Sequence, residues 1–79
     1  MKTNVSIKFS SIEEYREIEK KLIELGYEND KDWNESLIDD YEEYKCLPHH
    51  VYIDVDYEFA VQCSYERTHN SLEEFLKDE

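Results

Sequence analysis

Glycine and proline are almost missing from this chain of 79 residues, which contains one of each, Gly26 and Pro48. Phosphate-binding loops need closely spaced glycines, so the sequence has no glycine-rich nucleotide site. Long apolar runs are missing too, because none approaches the roughly 20 residues of a membrane-spanning helix. The N-terminal residues show no apolar signal-peptide region. We therefore expect a cytoplasmic protein that does not contact membranes.

Cysteine is scarce, with Cys46 and Cys63 as the two residues of this type. In the cytosol both are expected to stay reduced. The soft or borderline metal ligands of the sequence are Cys46, His49, His50, Cys63 and His69. Cys46-x-x-His49 has the spacing of a zinc finger, and Cys63 with His69 would supply a second pair of ligands. Cys63, however, falls on the inward side of a predicted hairpin, where a small buried thiol needs no further reason. We therefore expect structural thiols, with no metal and no cofactor.

Basic residues are outnumbered, because nine Lys and Arg stand against 21 Asp and Glu, for a formal net charge of −12. Residues 1–27 carry five acids and five bases, whereas residues 28–79 carry 16 acids and four bases. Such a charge disfavours nucleic acid and anionic membranes as direct partners. It favours a basic protein instead.

The chain is long enough for one domain, residues 1–79, with a small core. Its hydrophobic fraction of 39% and aromatic fraction of 14% are too high for a disordered tail. A thin core and an available edge strand favour self-association as a homodimer. The charge of −12 opposes this association at low salt.

The strongest pattern is a period of two that runs over residues 51–66. It predicts β-structure with an apolar face buried and an acidic face in water. The segment is long for one strand, which favours a hairpin. A three-residue loop, Asp56 to Glu58, would pair Val55 with Phe59 and keep every apolar residue inside. An unbroken, bent strand stays open as an alternative, because no glycine is present for a left-handed loop position.

The first part of the chain predicts a strand and a helix. Residues 4–9 alternate as a short strand does. Residues 12–25 repeat apolar side chains at spacings of three and four, after a capping box at Ser10 or Ser11 and before Gly26. A helix over 12–25, packed against the sheet, is therefore predicted.

The middle and the end of the chain predict two further helices. Residues 28–35 form a polar connection, and residues 35–45 favour a short helix with Asn34 as N-cap, although an edge strand at 36–38 stays open. Pro48 lies beyond its predicted end. After a turn at 68–70, the pair Ser71 and Glu74 predicts another capped helix.

This order, β-α-α-β-β-α, predicts an α+β fold, with helices on one face of a small antiparallel-rich sheet. The expected core is formed by the inward positions of these elements. They are Val5, Ile7, Phe9, Tyr15, Ile18, Leu22, Leu25, Val51, Ile53, Val55, Phe59, Val61, Cys63, Leu72 and Phe75.

Carboxylates are abundant, but no acid is singled out by an apolar surrounding or by a matched partner, as a catalytic acid or base would be. We therefore expect no enzyme. The acidic surfaces remain as candidates for binding a partner, because aromatic residues lie among their charges, as they do at interface hot spots. The candidate partner-binding residues are Asp54, Asp56 and Glu58, predicted at every second position of one strand face, with Asp39, Asp40, Glu42, Glu43, Tyr41, Tyr44 and Trp33. Two residues of strand rise separate the first three by about 6.6 Å, comparable to phosphate spacing along DNA.

Three segments carry a resemblance to known proteins: VSIKFSSIEEYREIEKKLIELGY, YIDVDYEFAVQ and SLEEFL. Together they resemble small acidic α+β proteins encoded by phages of low-GC bacteria. Proteins of similar size and charge from such phages include anti-restriction and anti-CRISPR inhibitors, several of which act as DNA mimics. The resemblance implies a viral anti-defence inhibitor in the host cell cytosol. It carries over no functional residue, because no motif is shared position by position.

Two functions follow as hypotheses. In the first, the acidic surface occupies the basic nucleic-acid groove of a host defence nuclease, such as a restriction enzyme or a CRISPR nuclease. In the alternative, the protein is a small non-enzymatic interaction or regulatory module whose acidity only keeps it in solution. The salt dependence of the binding affinity distinguishes the two hypotheses. Binding through charge mimicry weakens steeply as the salt concentration rises, whereas binding through apolar contacts does not.

Overall fold

The computed structural model describes residues 2–44, 50–62 and 68–77. Within these ranges the chain forms an α+β fold, as predicted, with a five-stranded sheet and three helices. The strands are β1 (Val5–Lys8), β2 (Glu28–Asn29), β3 (His50–Ile53), β4 (Glu58–Gln62) and β5 (Thr68–His69). The helices are α1 (Ile12–Leu25), α2 (Lys31–Tyr44) and α3 (Leu72–Lys77).

The sheet is mixed rather than antiparallel-rich, with the strand order β2-β4-β3-β1-β5. The three central strands are antiparallel, as the sequence predicts. The two outer strands are parallel to their neighbours, β2 to β4 and β5 to β1. Neither outer strand was predicted: β2 lies in the predicted polar connection, and β5 lies in the predicted turn. A strand of two residues is too short to show the alternation of apolar and polar residues that identifies a strand.

The predicted hairpin is present, and the alternative of one unbroken strand is wrong. Its register pairs Ile53 with Phe59 and Val51 with Val61. The loop therefore begins one residue earlier than predicted, at Val55, and ends at Tyr57. The register differs from the predicted one by two residues, and an even shift keeps the same side chains on the inner face. The exception is Val55, which moves from the core into the loop and is 62% exposed.

One cluster of buried side chains joins the inner face of the sheet to all three helices. It confirms the predicted core positions Val5, Ile7, Phe9, Tyr15, Ile18, Leu22, Val51, Ile53, Phe59, Val61 and Phe75. Leu25 and Leu72 are only partly buried, and Cys63 lies outside the described residues. Tyr27 and Ile38 also belong to this core, although the sequence pattern did not indicate them.

Helices α1 and α3 begin where their capping residues predict. The Ser11 hydroxyl accepts a hydrogen bond from the Glu14 N–H at 3.1 Å, and Ser71 does the same for Glu74 at 3.1 Å. Gly26 closes α1 with a φ of 102°, a left-handed conformation that glycine adopts without a steric penalty. Local signals therefore fix both helix starts and the end of α1.

Helix α2 is longer than predicted, and the alternative of an edge strand at 36–38 is wrong. Asn34 is not its N-cap, because its N–H donates to the Asp30 carbonyl at 2.9 Å, inside the helix. The Asn34 side chain is fully buried. The N-cap prediction was wrong because asparagine is typical of helix starts, whereas the Asn34 side chain binds partners in the sheet. Pro48, which we expected beyond the helix end, lies outside the described residues.

The Asn34 side-chain amide completes the outer edge of β4 beyond the end of β2. The Val61 N–H donates to Asn34 Oδ1 at 2.7 Å, and Asn34 Nδ2 donates to the Phe59 carbonyl at 3.2 Å. Trp33 adds a bond from its indole Nε1 to the Val61 carbonyl at 2.9 Å. The side chains of α2 thus take the place of a neighbouring strand. This edge is covered, so the available edge assumed for self-association is not found at β4, and the homodimer itself stays a prediction.

A network of hydrogen-bonded polar side chains connects the outer edge of β4 to α1. Asn34 Nδ2 also donates to Asn29 Oδ1 at 2.7 Å, and Asn29 Nδ2 donates to Glu19 Oε2 at 3.3 Å. The same Glu19 oxygen accepts from the Tyr15 hydroxyl at 3.1 Å. Burial, together with the nearby Glu19 carboxylate, raises the pKa of Tyr15, so its phenol stays a donor. Arg16 on α1 extends this network to Glu35 on α2, with 2.6 Å between Arg16 Nη1 and Glu35 Oε1.

We expect Ile18→Asp to unfold the domain, because it places an unpaired charge in the core, where Ile18 is 2% exposed. The cost should exceed about 4 kcal/mol, a large part of the total stability of a small domain. The matched control is Ile23→Asp on the same helix, where the native side chain is 51% exposed. Circular dichroism melting measures both. Equal melting temperatures for the two variants would show that the orientation of α1 is wrong.

We expect Asn34→Ala to lower the free energy of unfolding by about 2–4 kcal/mol, since it leaves the Val61 N–H without its partner and removes one of the two donors to the Phe59 carbonyl. The control is Ser36→Ala, an exposed position of the same helix, which should change the value by less than about 0.5 kcal/mol. Urea denaturation provides the comparison. A loss no larger than that of the control would contradict the role of Asn34 as a substitute strand.

Candidate functional site

Five carboxylates meet at one end of the sheet, and we call this group the acidic tip: Glu28, Asp30, Asp54, Asp56 and Glu58. The parallel pairing of β2 with β4 places Glu28 beside Glu58. The hairpin places Asp54 opposite Glu58, with the Asp54 N–H donating to the Glu58 carbonyl at 3.0 Å. Backbone hydrogen bonds therefore hold most of these acids close together.

Asp54 also shapes the turn that carries the acidic tip. Its Oδ1 accepts from the N–H of Asp56 at 2.8 Å and of Glu58 at 3.1 Å. Tyr57 has a φ of 64°, in the left-handed region, which costs a residue with a Cβ about 1–2 kcal/mol. The two bonds to Asp54 stabilise the turn against this cost, so no glycine is needed.

The three hairpin acids do not follow one strand face, contrary to the prediction from the alternating pattern. Glu58 lies in β4, Asp54 lies just after β3, and Asp56 lies in the turn between them. The predicted row of carboxylates at about 6.6 Å intervals is therefore wrong, because the pattern continues through the turn and hides it. The acids surround the turn instead.

The acidic tip is electrostatically strained. The pKa of Glu58 is raised by its partial burial and by repulsion from Asp30, Asp54, Glu28 and Asp56. In the described ranges, the ion pairs of Lys and Arg involve Glu19, Glu35 and Glu73, and none involves an acid of the tip. The charge of the tip is thus left without a neutralising partner among the residues that the structure describes.

Two exposed apolar side chains lie in the turn between these acids. Val55 is 62% exposed and Tyr57 is 45% exposed. The Tyr57 ring lies against buried Tyr27, with 6.4 Å between the ring centroids. A shallow cleft of about 340 Å³ beside it is lined by Gly26, Glu28, Asp56 and Tyr57. The tip therefore offers charge and apolar surface together.

The second predicted cluster lies on α2. Asp39 and Asp40 are exposed there, whereas the side chains of Tyr41, Glu42, Glu43 and Tyr44 lie outside the described residues. Trp33 is 50% exposed, although its indole nitrogen is bound to the sheet. Asp39 and Asp40 thus lie on a helix, whereas the hairpin acids lie at the turn between β3 and β4.

Two acids of the tip and the two exposed apolar side chains between its acids were missed in the sequence. Glu28 and Asp30 flank β2, whose two residues carry no pattern, and only the parallel pairing brings them to the hairpin. Val55 and Tyr57 share the parity of the buried positions, so they were expected on the inner side. The preference of Asp for turns was the one local signal that could have moved the loop to its observed place.

The zinc alternative cannot be assembled from the described residues. His50 lies in β3 and His69 in β5, with β1 between them. Cys46, His49 and Cys63 lie outside the described residues. Among the residues that are described, no three His, Cys, Asp or Glu side chains are grouped as metal ligands, including those of the acidic tip. The expectation of no metal stays a prediction.

Comparison of the chain with protein-family models, with curated proteins and with solved structures gives no match. The residues themselves therefore carry the argument for function. As to membranes, the described helices include none with the length and apolar character needed to cross one.

We expect Glu58→Gln to raise the melting temperature at pH 7, because it removes the carboxylate that the other tip acids repel. A folded-state pKa above the ordinary 4.5 means that the folded protein holds this proton more tightly than the unfolded chain. Stability is therefore lost as pH rises from 4.5 through the folded-state pKa, and the advantage of the variant should vanish near pH 4.

The control for this pH dependence is Glu17→Gln, which removes an exposed charge from α1. Lys20 and Lys21 follow Glu17 at helical contact spacing, so this change should leave the melting temperature unchanged or lower it. Melting curves of the parent and both variants from pH 4 to 8 provide the measurement. An advantage of Glu58→Gln that persists unchanged at the lowest pH would rule out repulsion as its cause.

Proposed function

We propose that this protein is a non-enzymatic binding protein whose acidic tip occupies the basic nucleic-acid groove of another protein. The observation that carries the proposal is the combination, at one end of the sheet, of Glu58 and the four carboxylates that repel it with two exposed apolar side chains in the turn. A basic groove would replace repulsion with attraction at this point. It would also cover Val55 and Tyr57.

The tip is suited to such binding because its backbone is already fixed. Asp54 holds the turn through two hydrogen bonds, and the Glu28 N–H donates to the Tyr57 carbonyl at 2.8 Å. Little backbone entropy is then lost when a partner binds. Each exposed ion pair contributes only about 0–1 kcal/mol, so the acids act mainly together, on the rate of encounter and on specificity.

Tyr57 is the candidate for the apolar anchor of the interface. Its ring is partly exposed and is supported from behind by Tyr27. A tyrosine with few rotatable bonds that becomes buried among charges is typical of an interface hot spot. The guanidinium of an arginine from the partner can stack on such a ring while pairing with a neighbouring carboxylate.

The resemblance to small phage proteins gives the kind of partner that we propose, a host defence enzyme such as a restriction enzyme or a CRISPR nuclease. Its nucleic-acid groove is basic, and the inhibitor would compete with DNA there. The proposal does not include a row of acids that copies phosphates along a strand, because the three hairpin acids surround a turn. It requires only a compact acidic surface that fits a basic groove.

A second function is supported by the exposure of Val55, Tyr57 and Trp33. In this alternative the protein is a small interaction module that binds through these apolar side chains, and its acidity only keeps it in solution. The two functions differ in how the affinity depends on salt. Apolar contacts are nearly insensitive to ionic strength, whereas contacts between charges weaken as salt rises.

The experiment begins with capture of the partner from a bacterial lysate on the immobilised protein and its identification by mass spectrometry. Binding of the purified partner is then measured at rising salt and with competing duplex DNA. Groove binding predicts a steep loss of affinity with salt and competition by DNA. A salt-independent affinity without competition would replace this proposal with the apolar module.

Variants locate the contact on the surface. The triple change Glu28→Gln, Asp56→Asn and Glu58→Gln leaves the Asp54 turn intact and should slow association, at a fold stability no lower than that of the parent. The matched triple on α2, Asp39→Asn, Asp40→Asn and Glu42→Gln, removes the same charge and should have a smaller effect. If only the α2 variant loses binding, the acidic tip is not the contact.

A change at Tyr57 separates the anchor from the charges. We expect Tyr57→Ala to accelerate dissociation of the complex while the association rate stays near that of the parent, because the ring acts only after contact. Surface plasmon resonance gives both rates. Unchanged dissociation, with melting temperature also unchanged, would show that the partner does not cover the ring.

A further inference from the structure

A cleft of about 870 Å³ opens at the opposite edge of the sheet from β2. Residues from the N-terminus, β1, β5 and α3 line it. The polar side chains that line it are Lys2, Thr3, Thr68, His69, Glu74 and Lys77. This volume lies in the range of small-molecule sites, about 300–1,000 Å³.

The described lining of this cleft differs in charge balance from the chain as a whole. Among the lining residues that the structure describes, Lys2 and Lys77 outnumber one acid, Glu74, in a protein with a net charge of −12. The two ammonium groups and the Thr3 hydroxyl are able to donate hydrogen bonds. The Thr68 hydroxyl already bonds the Ser6 hydroxyl at 3.1 Å, so it is not counted among these donors. At physiological salt, charges more than about 8 Å away are largely screened, so the local lining decides which ligand is attracted.

Lys2 is held in place before any ligand binds. Its Nζ donates to the Phe75 carbonyl in α3 and lies 4.6 Å from the centre of the Phe75 ring. The Tyr27 hydroxyl donates to the Lys2 carbonyl at 2.8 Å, which fixes the main chain as well. An ammonium group has three donors, so two remain after the bond to Phe75. The charge is therefore positioned at little further entropic cost.

Glu74, the one acid among the lining residues that the structure describes, is directed to neighbouring side chains rather than to the lysines. Its Oε1 lies 3.9 Å from His69 Nδ1, and its Oε2 accepts from Asn70 Nδ2 at 3.4 Å. Lys77 is 77% exposed and its Nζ lies 3.8 Å from a Glu73 carboxylate oxygen, a distance typical of a loose surface pair. Both lysines thus keep donors for a ligand.

We propose that this cleft binds a small polyvalent oxyanion. Phosphates and polycarboxylates share this chemistry, with several charged oxygens that accept from ammonium and hydroxyl groups. Lys2 and Lys77 contact the charged oxygens, and the Thr3 hydroxyl orients them. The site lies on the other edge of the sheet from the acidic tip, and it does not depend on the proposed binding of a basic groove.

The test is a titration of the full chain with inorganic pyrophosphate at physiological salt, followed by ¹H–¹⁵N NMR. Saturable binding with a dissociation constant below about 1 mM is expected, with the largest shifts at Thr3, Thr68 and His69. A parallel titration with citrate distinguishes the sources. Binding of both ligands supports polyvalent oxyanions in general, and binding of pyrophosphate alone narrows the class to phosphates.

Three single variants decide whether the cleft is responsible. Lys2→Met and Lys77→Met should each weaken pyrophosphate binding about tenfold or more, as expected for a lost charged hydrogen bond. Lys8→Met removes the same charge from the exposed end of β1 and should change the affinity less than about twofold. Because Lys2 also contacts α3, Lys77→Met keeps the test valid if Lys2→Met melts early. Absence of saturation with both pyrophosphate and citrate, or an equal loss in Lys8→Met, would overturn the proposal.

Discussion

The side-chain amide of Asn34 is the interaction on which most of the described architecture depends. A buried amide is costly unless its donors and its acceptor are bonded, and here the sheet and β2 satisfy them. These bonds fix how α2 is rotated about its axis. The rotation directs Ile38 into the core and brings Trp33 to the Val61 carbonyl. A single residue thus joins helix, sheet edge and core.

The acidic tip is a consequence of the same arrangement. The chain must leave the sheet after Asn29 so that α2 can place Asn34 at the edge of β4. The two residues of β2 therefore pair only beside the hairpin, and they bring Glu28 next to Glu58. Backbone pairing holds these carboxylates together against their repulsion. Repulsion from these acids contributes to the raised pKa of Glu58, and a cationic partner would relieve it.

What the sequence could predict follows from the range of each physical signal. Capping residues and a glycine act within one helical turn, and they gave the starts of α1 and α3 and the end of α1. The alternation of apolar and polar residues predicted the hairpin and its two faces. Because this alternation continues through the turn, it does not show where the turn lies, and Val55 was therefore wrongly predicted in the core. The β2 and β5 strands and the role of Asn34 arise from contacts between distant segments. Their residues show no local pattern, and the acidic tip that they complete was therefore predicted only in part.

The mixed sheet also separates charge across its width. Four strand spacings, about 19 Å, lie between β2 at the acidic tip and β5 at the cleft that Lys2 and Lys77 line. Acids at one edge and these two lysines at the other add a dipolar component to the net charge. The field of a basic surface would exert a torque on this dipole that turns the acidic tip forward during the approach. The molecule would therefore reach the partner already oriented, and a larger share of its encounters would present the acidic tip.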